Sequence, residues 1–151
     1  IEIAHKAGVK AIQLHGRETP AQTKEIAGNF RWVIKAFASD DENLPIADRY
    51  GTDMILLDAP SPGSGKVFDW SIAGEAPDSM KLILAGGLTP ENVGSAVEEV
   101  RPWGVDVVSG VEKEPGRKDP MKVKRFIENA KEHAVEQYRG DDNIPYDWDF
   151  E

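Results

Sequence analysis

Leu84-Ala85-Gly86-Gly87-Leu88-Thr89-Pro90-Glu91-Asn92-Val93 is the stretch whose reading decides the fold. It closes a short apolar run over residues 82–85, breaks at two glycines, and enters apolar positions at Val93, Ala96, Val97 and Val100, which is helix spacing. A buried strand therefore turns tightly into a helix. Thr89 is placed to cap the first turn, and Pro90 to occupy a position where its missing N–H costs nothing. Free backbone donors then point outward beside a loop without Cβ atoms, a setting that suits an anion and above all a phosphate.

The same grammar recurs along the chain. Residues 1–7 read as the tail of a helix stopped by Gly8, and residues 9–14 as a strand running into His15-Gly16. Thr19-Pro20-Ala21-Gln22 supplies a capping box for a helix to about Gly28. A strand over 32–37 and a weaker helix over 42–50, irregular at Pro45, come next. Met54-Ile55-Leu56-Leu57 is an unbroken apolar run, as a strand buried on both faces should be, and it delivers Asp58 at its end. A glycine- and proline-rich loop over 60–66 leads through Phe68-Asp69-Trp70 into a short helix. The last strand is expected over 105–108. Asp119-Pro120 then caps a final helix whose apolar face holds Met121, Val123, Phe126, Ile127, Ala130 and Ala134. Residues 1–138 form one unit, and residues 139–151 an acidic tail interleaved with Tyr146, Trp148 and Phe150.

Strands thus begin near residues 11, 32, 54, 82 and 105, and the loops after the first and fourth both run Gly-x-x-Thr-Pro, an internal repeat. Repeating βα units give an open doubly wound sheet or a barrel. Polar or glycine residues follow at least four strand ends (His15, Asp58, Gly86-Gly87, Ser109-Gly110), whereas an open sheet would gather them at one switch point. A (βα)8 barrel is therefore the fold expected, incomplete here with about five βα units. Five strands do not close an eight-stranded ring, so missing N-terminal strands or a complementing chain are expected. The opening at Ile1, midway through a helix, points the same way.

The 151 residues are 40% hydrophobic and 30% charged, the composition of a folded domain. A net charge of -9 disfavours nucleic acid and anionic membranes as partners, although a pocket of backbone N–H groups still takes an anionic small molecule. No cysteine is present, which excludes disulfides, thiolate metal sites and a thiol nucleophile. No apolar run approaches the roughly 20 residues of a membrane span. A cytoplasmic location is expected.

Five motifs in register resemble phosphoribosylanthranilate isomerase: Gln13-Leu14-His15-Gly16; Leu56-Leu57-Asp58; Gly63-Ser64-Gly65-Lys66 with Phe68-Asp69-Trp70; Leu84-Ala85-Gly86-Gly87-Leu88 with Pro90-Glu91-Asn92-Val93; and Val105-Asp106-Val107-Val108-Ser109-Gly110-Val111-Glu112 with Pro115-Gly116-Arg117-Lys118-Asp119. The resemblance runs over residues 9–131. It implies an Amadori rearrangement of N-(5-phosphoribosyl)anthranilate in tryptophan biosynthesis without metal or organic cofactor. In that family an aspartate ending the sixth strand, here Asp58, protonates the ribose ring oxygen. The family's base, a first-strand cysteine, and the arginine of its early loops that holds the anthranilate carboxylate have no counterpart here. The chain resembles strands four to eight.

Each candidate has a plainer alternative. Asp58 is the general acid or a solvated strand end; the acid role calls for a raised pKa, which apolar burial would supply. Gly86, Gly87, Ser109 and Gly110 hold the phosphate or are ordinary turns. His15 is an active-site contact or a capping histidine. Asp106 faces the barrel interior towards substrate or is a buried structural carboxylate. Lys66 is no P-loop lysine, because Pro60 and Val67 stand where that motif needs glycine and Ser/Thr. His5 and His133 lack partners at metal spacing and are expected to be solvated. The rival readings are another sugar-phosphate barrel enzyme, such as indole-glycerol-phosphate synthase or a ribulose-phosphate epimerase, and a half barrel that binds phosphate without catalysis.

Overall fold

The computed structural model describes residues 1–58 and 70–134. The loop motif at residues 63–66, Phe68-Asp69 and the acidic tail lie outside them. In chain order the elements are α1 (Glu2–Ala7), β1 (Ala11–Leu14), α2 (Pro20–Ala27), β2 (Trp32–Ala38), a 3-10 segment (Leu44–Tyr50), β3 (Met54–Asp58), a second 3-10 segment (Trp70–Glu75) and β4 (Lys81–Ala85). They continue with α3 (Val93–Val100), β5 (Gly104–Val105), a 3-10 turn (Ser109–Val111), the short hairpin β6 (Glu112–Glu114) and β7 (Arg117–Lys118), and α4 (Pro120–Glu132).

The five long-range strands form one sheet in the order β1-β2-β3-β4-β5, every neighbouring pair parallel. Each strand lies beside its predecessor, with no reversal of order. Both 3-10 segments, α3 and α4 pack on the same face, unlike a doubly wound sheet with its switch point. The chain is an α/β protein with a singly wound parallel sheet.

Period-two alternation divides the strands between two layers. Phe37, Ile55, Leu57 and Leu84 face the helices and pack with Leu44, Ala47, Val93, Ala96, Val97 and Phe126. Burying each of the larger apolar side chains contributes roughly 1.5–3 kcal/mol, so this layer holds the helices on the sheet. The other face carries a smaller cluster of Ala36, Leu56 and Ala85 flanked by Ile34 and Ile83. Asp58 follows Leu56 on that face, and His15 follows Gln13, which pairs with Ile34.

Helix starts follow their caps. Thr19 and Gln22 form the expected capping box at α2, and Asp119 accepts the amides of Met121 and Lys122 at α4. Gly8 and Gly51, at φ +68° and +73°, end α1 and the first 3-10 segment.

Three expectations need correction. The last strand covers only Gly104–Val105: the Asp106 amide donates to Leu84 O at 2.8 Å, after which β4 has turned away at Gly86-Gly87 and offers Val107 and Val108 no partner. α4 ends at Glu132, which puts Ala134 past it, while Met121 and Ile127 are exposed; Val123, Phe126 and Ala130 make its packing face. The segment after β2 is 3-10 rather than α-helical, with Ile46 out of helical geometry beside Pro45.

Candidate active site

Because the strands are parallel, all their C-terminal ends open on one edge, and the registers fix which residues meet there. Asp58 pairs with Ala38 on one side and with Ala85, the residue before Gly86-Gly87, on the other. Asp58 and the glycine turn are therefore on the same rim, one strand apart.

His15 reaches Asp58 across β2, with Nε2 at 3.4 Å from Oδ2. Between them β2 presents Ala36 and Ala38, too small to separate the two groups. Gln13 Nε2 lies 3.4 Å from His15 Nδ1; with the amide donating there, the remaining Nε2–H is left to face the carboxylate. His15 does not cap α2, whose cap is Thr19. Asp58 departs from expectation in one respect. Its side chain is 42% exposed rather than sunk among apolar neighbours.

Both residues line a cavity of about 730 Å³ with Gly16, Arg17, Phe37, Asp40, Asp41, Glu42 and Asn43. The three carboxylates after β2 were not legible as site residues, because an acidic run after a strand reads as a solvated loop. Their charge disfavours an anion here. None of the cavity's lining comes from the glycine loops.

Those loops meet each other instead. Gly86 and Gly87 have φ of +80° and +62°, consecutive left-handed residues that only glycine adopts without strain. A Cβ on Gly110 would collide with the Leu88 carbonyl oxygen, so the turn after β5 is pressed against the turn after β4. Asn92, quoted in the motif but given no role, pins the arrangement: Nδ2 donates to Gly87 O at 3.1 Å and Oδ1 accepts the Thr89 amide at 2.7 Å. Asn129 of α4 donates to Pro90 O at 2.6 Å. Thr89 and Asn92 repeat half of the exchange made by Thr19 and Gln22: the Thr89 amide donates to Asn92 Oδ1, but Thr89 Oγ1 accepts the Glu91 amide, and α3 starts only at Val93, so Thr89 does not cap it as expected.

Ser109 and Asp106 are exposed on this rim. Asp106 is not buried among the described residues. His5, as expected, is exposed, with Nε2 3.3 Å from Asn29 O. His133 corrects the expectation: it is half-buried, its Nδ1 donates to Asn129 O at 2.8 Å, and its ring fills the space that Gly94 leaves open. Among the described residues no cluster of three His, Asp or Glu is arranged to hold a metal, and no helix is long and apolar enough to cross a membrane.

The chain is similar to known proteins over most of its length. A family model described as N-(5'-phosphoribosyl)anthranilate (PRA) isomerase matches residues 1–129. The curated N-(5'-phosphoribosyl)anthranilate isomerase of Pelobacter propionicus is 43% identical over 143 residues, 91% of this chain and 67% of its own length. The crystal structure of phosphoribosyl anthranilate isomerase from Thermotoga maritima superposes with a TM-score of 0.74 at 44% identity, over 87% of this chain and 66% of that one. A phosphoribosyl anthranilate isomerase in complex with reduced 1-(o-carboxyphenylamino)-1-deoxyribulose 5-phosphate gives a TM-score of 0.67 at 39% identity, over 87% and 64%. The chain spans about two thirds of the length of these relatives. With nearly all of its described residues matched by that family's model and the same fold found at these identities, the chain belongs to the N-(5'-phosphoribosyl)anthranilate isomerase family.

Proposed function

We propose that this chain carries the proton donor and the phosphate grip of a phosphoribosylanthranilate isomerase, which rearranges N-(5-phosphoribosyl)anthranilate to 1-(2-carboxyphenylamino)-1-deoxyribulose 5-phosphate in tryptophan biosynthesis. The pairing of Asp58 with Ala85 carries the reading, because it sets a carboxyl group one strand away from the Gly86-Gly87 turn on a common rim. Asp58 gives its proton to the ribose ring oxygen as the C1–O bond breaks, and the nitrogen lone pair forms the Schiff base. Loss of the C2 proton to a base then gives the enol, which tautomerises to the ketose. The phosphate sits between the turns after β4 and β5, held by amides of Gly86, Gly87, Ser109 and Gly110. Asp106 lines the substrate beside that grip, and His15 lines it on the other side of the acid.

A phosphorylated small-molecule substrate is supported by the relative in complex with a reduced 5-phosphate. The five strands correspond to strands four to eight of a (βα)8 ring, in keeping with the share of its relatives' length that the chain spans. The base lies outside this sequence, which has no cysteine to serve as one. The enzyme is cytoplasmic and uses neither metal nor organic cofactor.

The test joins this chain to the N-terminal third of the Thermotoga maritima relative and follows the loss of phosphoribosylanthranilate fluorescence. The joined protein is expected to turn over substrate and the present chain alone to be inactive. A joined protein that melts cooperatively but leaves the fluorescence unchanged would favour a phosphate-binding half barrel instead.

A further inference from the structure

One charged group inside the molecule has no part in that chemistry. Lys35 of β2 is 2% exposed and points to the helix side of the sheet. Its ammonium donates to Ala36 O at 2.6 Å and Gly16 O at 3.0 Å, lies 3.3 Å from Glu18 Oε2, and sits 5.0 Å from the centre of the Phe37 ring. Glu18 completes a clamp, since its Oε2 accepts the Gly16 amide at 3.2 Å. Gly16 is thus held by its N–H and its C=O at once, by two oppositely charged side chains that also hold each other. A Cβ on Gly16 would stand 2.6 Å from Glu18 Oε1, so a larger residue there moves the Glu18 carboxylate out of the clamp.

Stability alone is a poor reason for this arrangement. Taking a lysine out of water costs several kcal/mol, and an apolar residue of similar volume often serves the fold as well or better. What the pair does fix is the turn leaving β1, and the residue before Gly16 is His15, whose imidazole meets Asp58. We propose that Lys35 and Glu18 are positioning residues that clamp the Gly16 peptide and so hold His15 at its 3.4 Å separation from Asp58. The inference rests on the isomerase reading for its consequence in turnover, but the clamp itself is read separately.

Lys35→Met keeps the buried stem and removes the charge; Glu18→Gln removes the charge from a side chain that contributes little packing. Both are made in the joined isomerase, alone and with His15→Ala. Each single variant is expected to lower kcat about tenfold with KM within about a factor of two, since misplacing a catalytic group costs turnover before it costs binding. Gly16 amide exchange, followed by NMR, is expected to quicken by about tenfold or more. On the His15→Ala background neither substitution lowers kcat further. Folded variants with unchanged kcat and unchanged Gly16 exchange overturn the proposal, as does a kcat loss that persists in full without His15. If Lys35→Met does not fold, Glu18→Gln decides. If the parent lacks turnover, the isomerase reading has failed, and unchanged Gly16 exchange alone overturns the clamp.

Discussion

Asp58 and His15 are brought together by residues that take no part in chemistry, the small Ala36 and Ala38 of the strand between them. Gly110 has a comparable standing on the other side of the rim: its lack of a side chain lets two loops touch. Gly110→Ala drives a methyl into the Leu88 carbonyl and parts the loops. KM for the phosphorylated substrate is expected to rise about tenfold or more, with kcat changed less, because the proposed phosphate grip is binding energy remote from the reacting bond. Unaltered KM in a folded Gly110→Ala enzyme would remove the phosphate from these loops. Glu18 carries a pH prediction. Burial alone would raise its pKa, but hydrogen bonds from its own amide, the Lys35 ammonium and the Gly16 amide outweigh it, and the carboxyl is held below the ordinary glutamate value. A group whose folded pKa is depressed stabilises fully above its unfolded value, and that stability is lost as pH falls through the folded one. Thermal melts in the acid range should therefore decline more steeply for the parent than for Glu18→Gln; parallel acid limbs would contradict the pairing.

At the scale of elements, the two Thr-Pro starts allow a matched comparison. Asn92→Ala removes both the acceptor for the Thr89 amide and the donor to Gly87, so it should cost about 1–2 kcal/mol of stability and raise KM. Thr19→Ala removes the side-chain cap at α2, costs about 1 kcal/mol, and should leave KM unchanged. Equal effects on KM, measured with melting curves on the same samples, would show that Asn92 only holds the loop together. Strand starts were legible to within a residue because apolar runs such as Met54-Ile55-Leu56-Leu57 bound by glycine and proline have few other uses. β5 was misjudged because Val107 and Val108 have strand chemistry, while pairing depends on where the neighbour turns, which lies about twenty residues earlier in the chain. Lys35 was invisible for a similar reason: lysine in a strand ordinarily marks the solvent face, and the folded loop after β1 supplies the carboxylate and carbonyl that, with Ala36 O, let it be buried.

For the whole molecule, a singly wound parallel sheet puts every strand end on one rim, so residues far apart in sequence become neighbours without any long-range motif to announce them. That the Gly86 turn and Asp58 share the rim follows from strand direction alone; that His15 touches Asp58 depends on sheet curvature and small residues, which sequence patterning does not encode. Among the described residues β1 and β5 form the sheet's two edges, with the small Ala36, Leu56 and Ala85 cluster between them on one face. Unpaired edges invite pairing with other chains. The present chain alone should therefore associate with rising concentration in sizing experiments, and the joined protein should do so less; a strictly monomeric chain at all concentrations would argue that its edges are already protected.

The most direct measurement is kcat for Asp58→Asn in the joined isomerase. Asparagine keeps the size of the side chain at a half-exposed strand end, so the fold should stand, while the proton the ring oxygen needs is gone. A fall in kcat of about a hundredfold or more with the melting transition preserved is expected, whereas an enzyme that turns over at the parent rate would place the acid elsewhere.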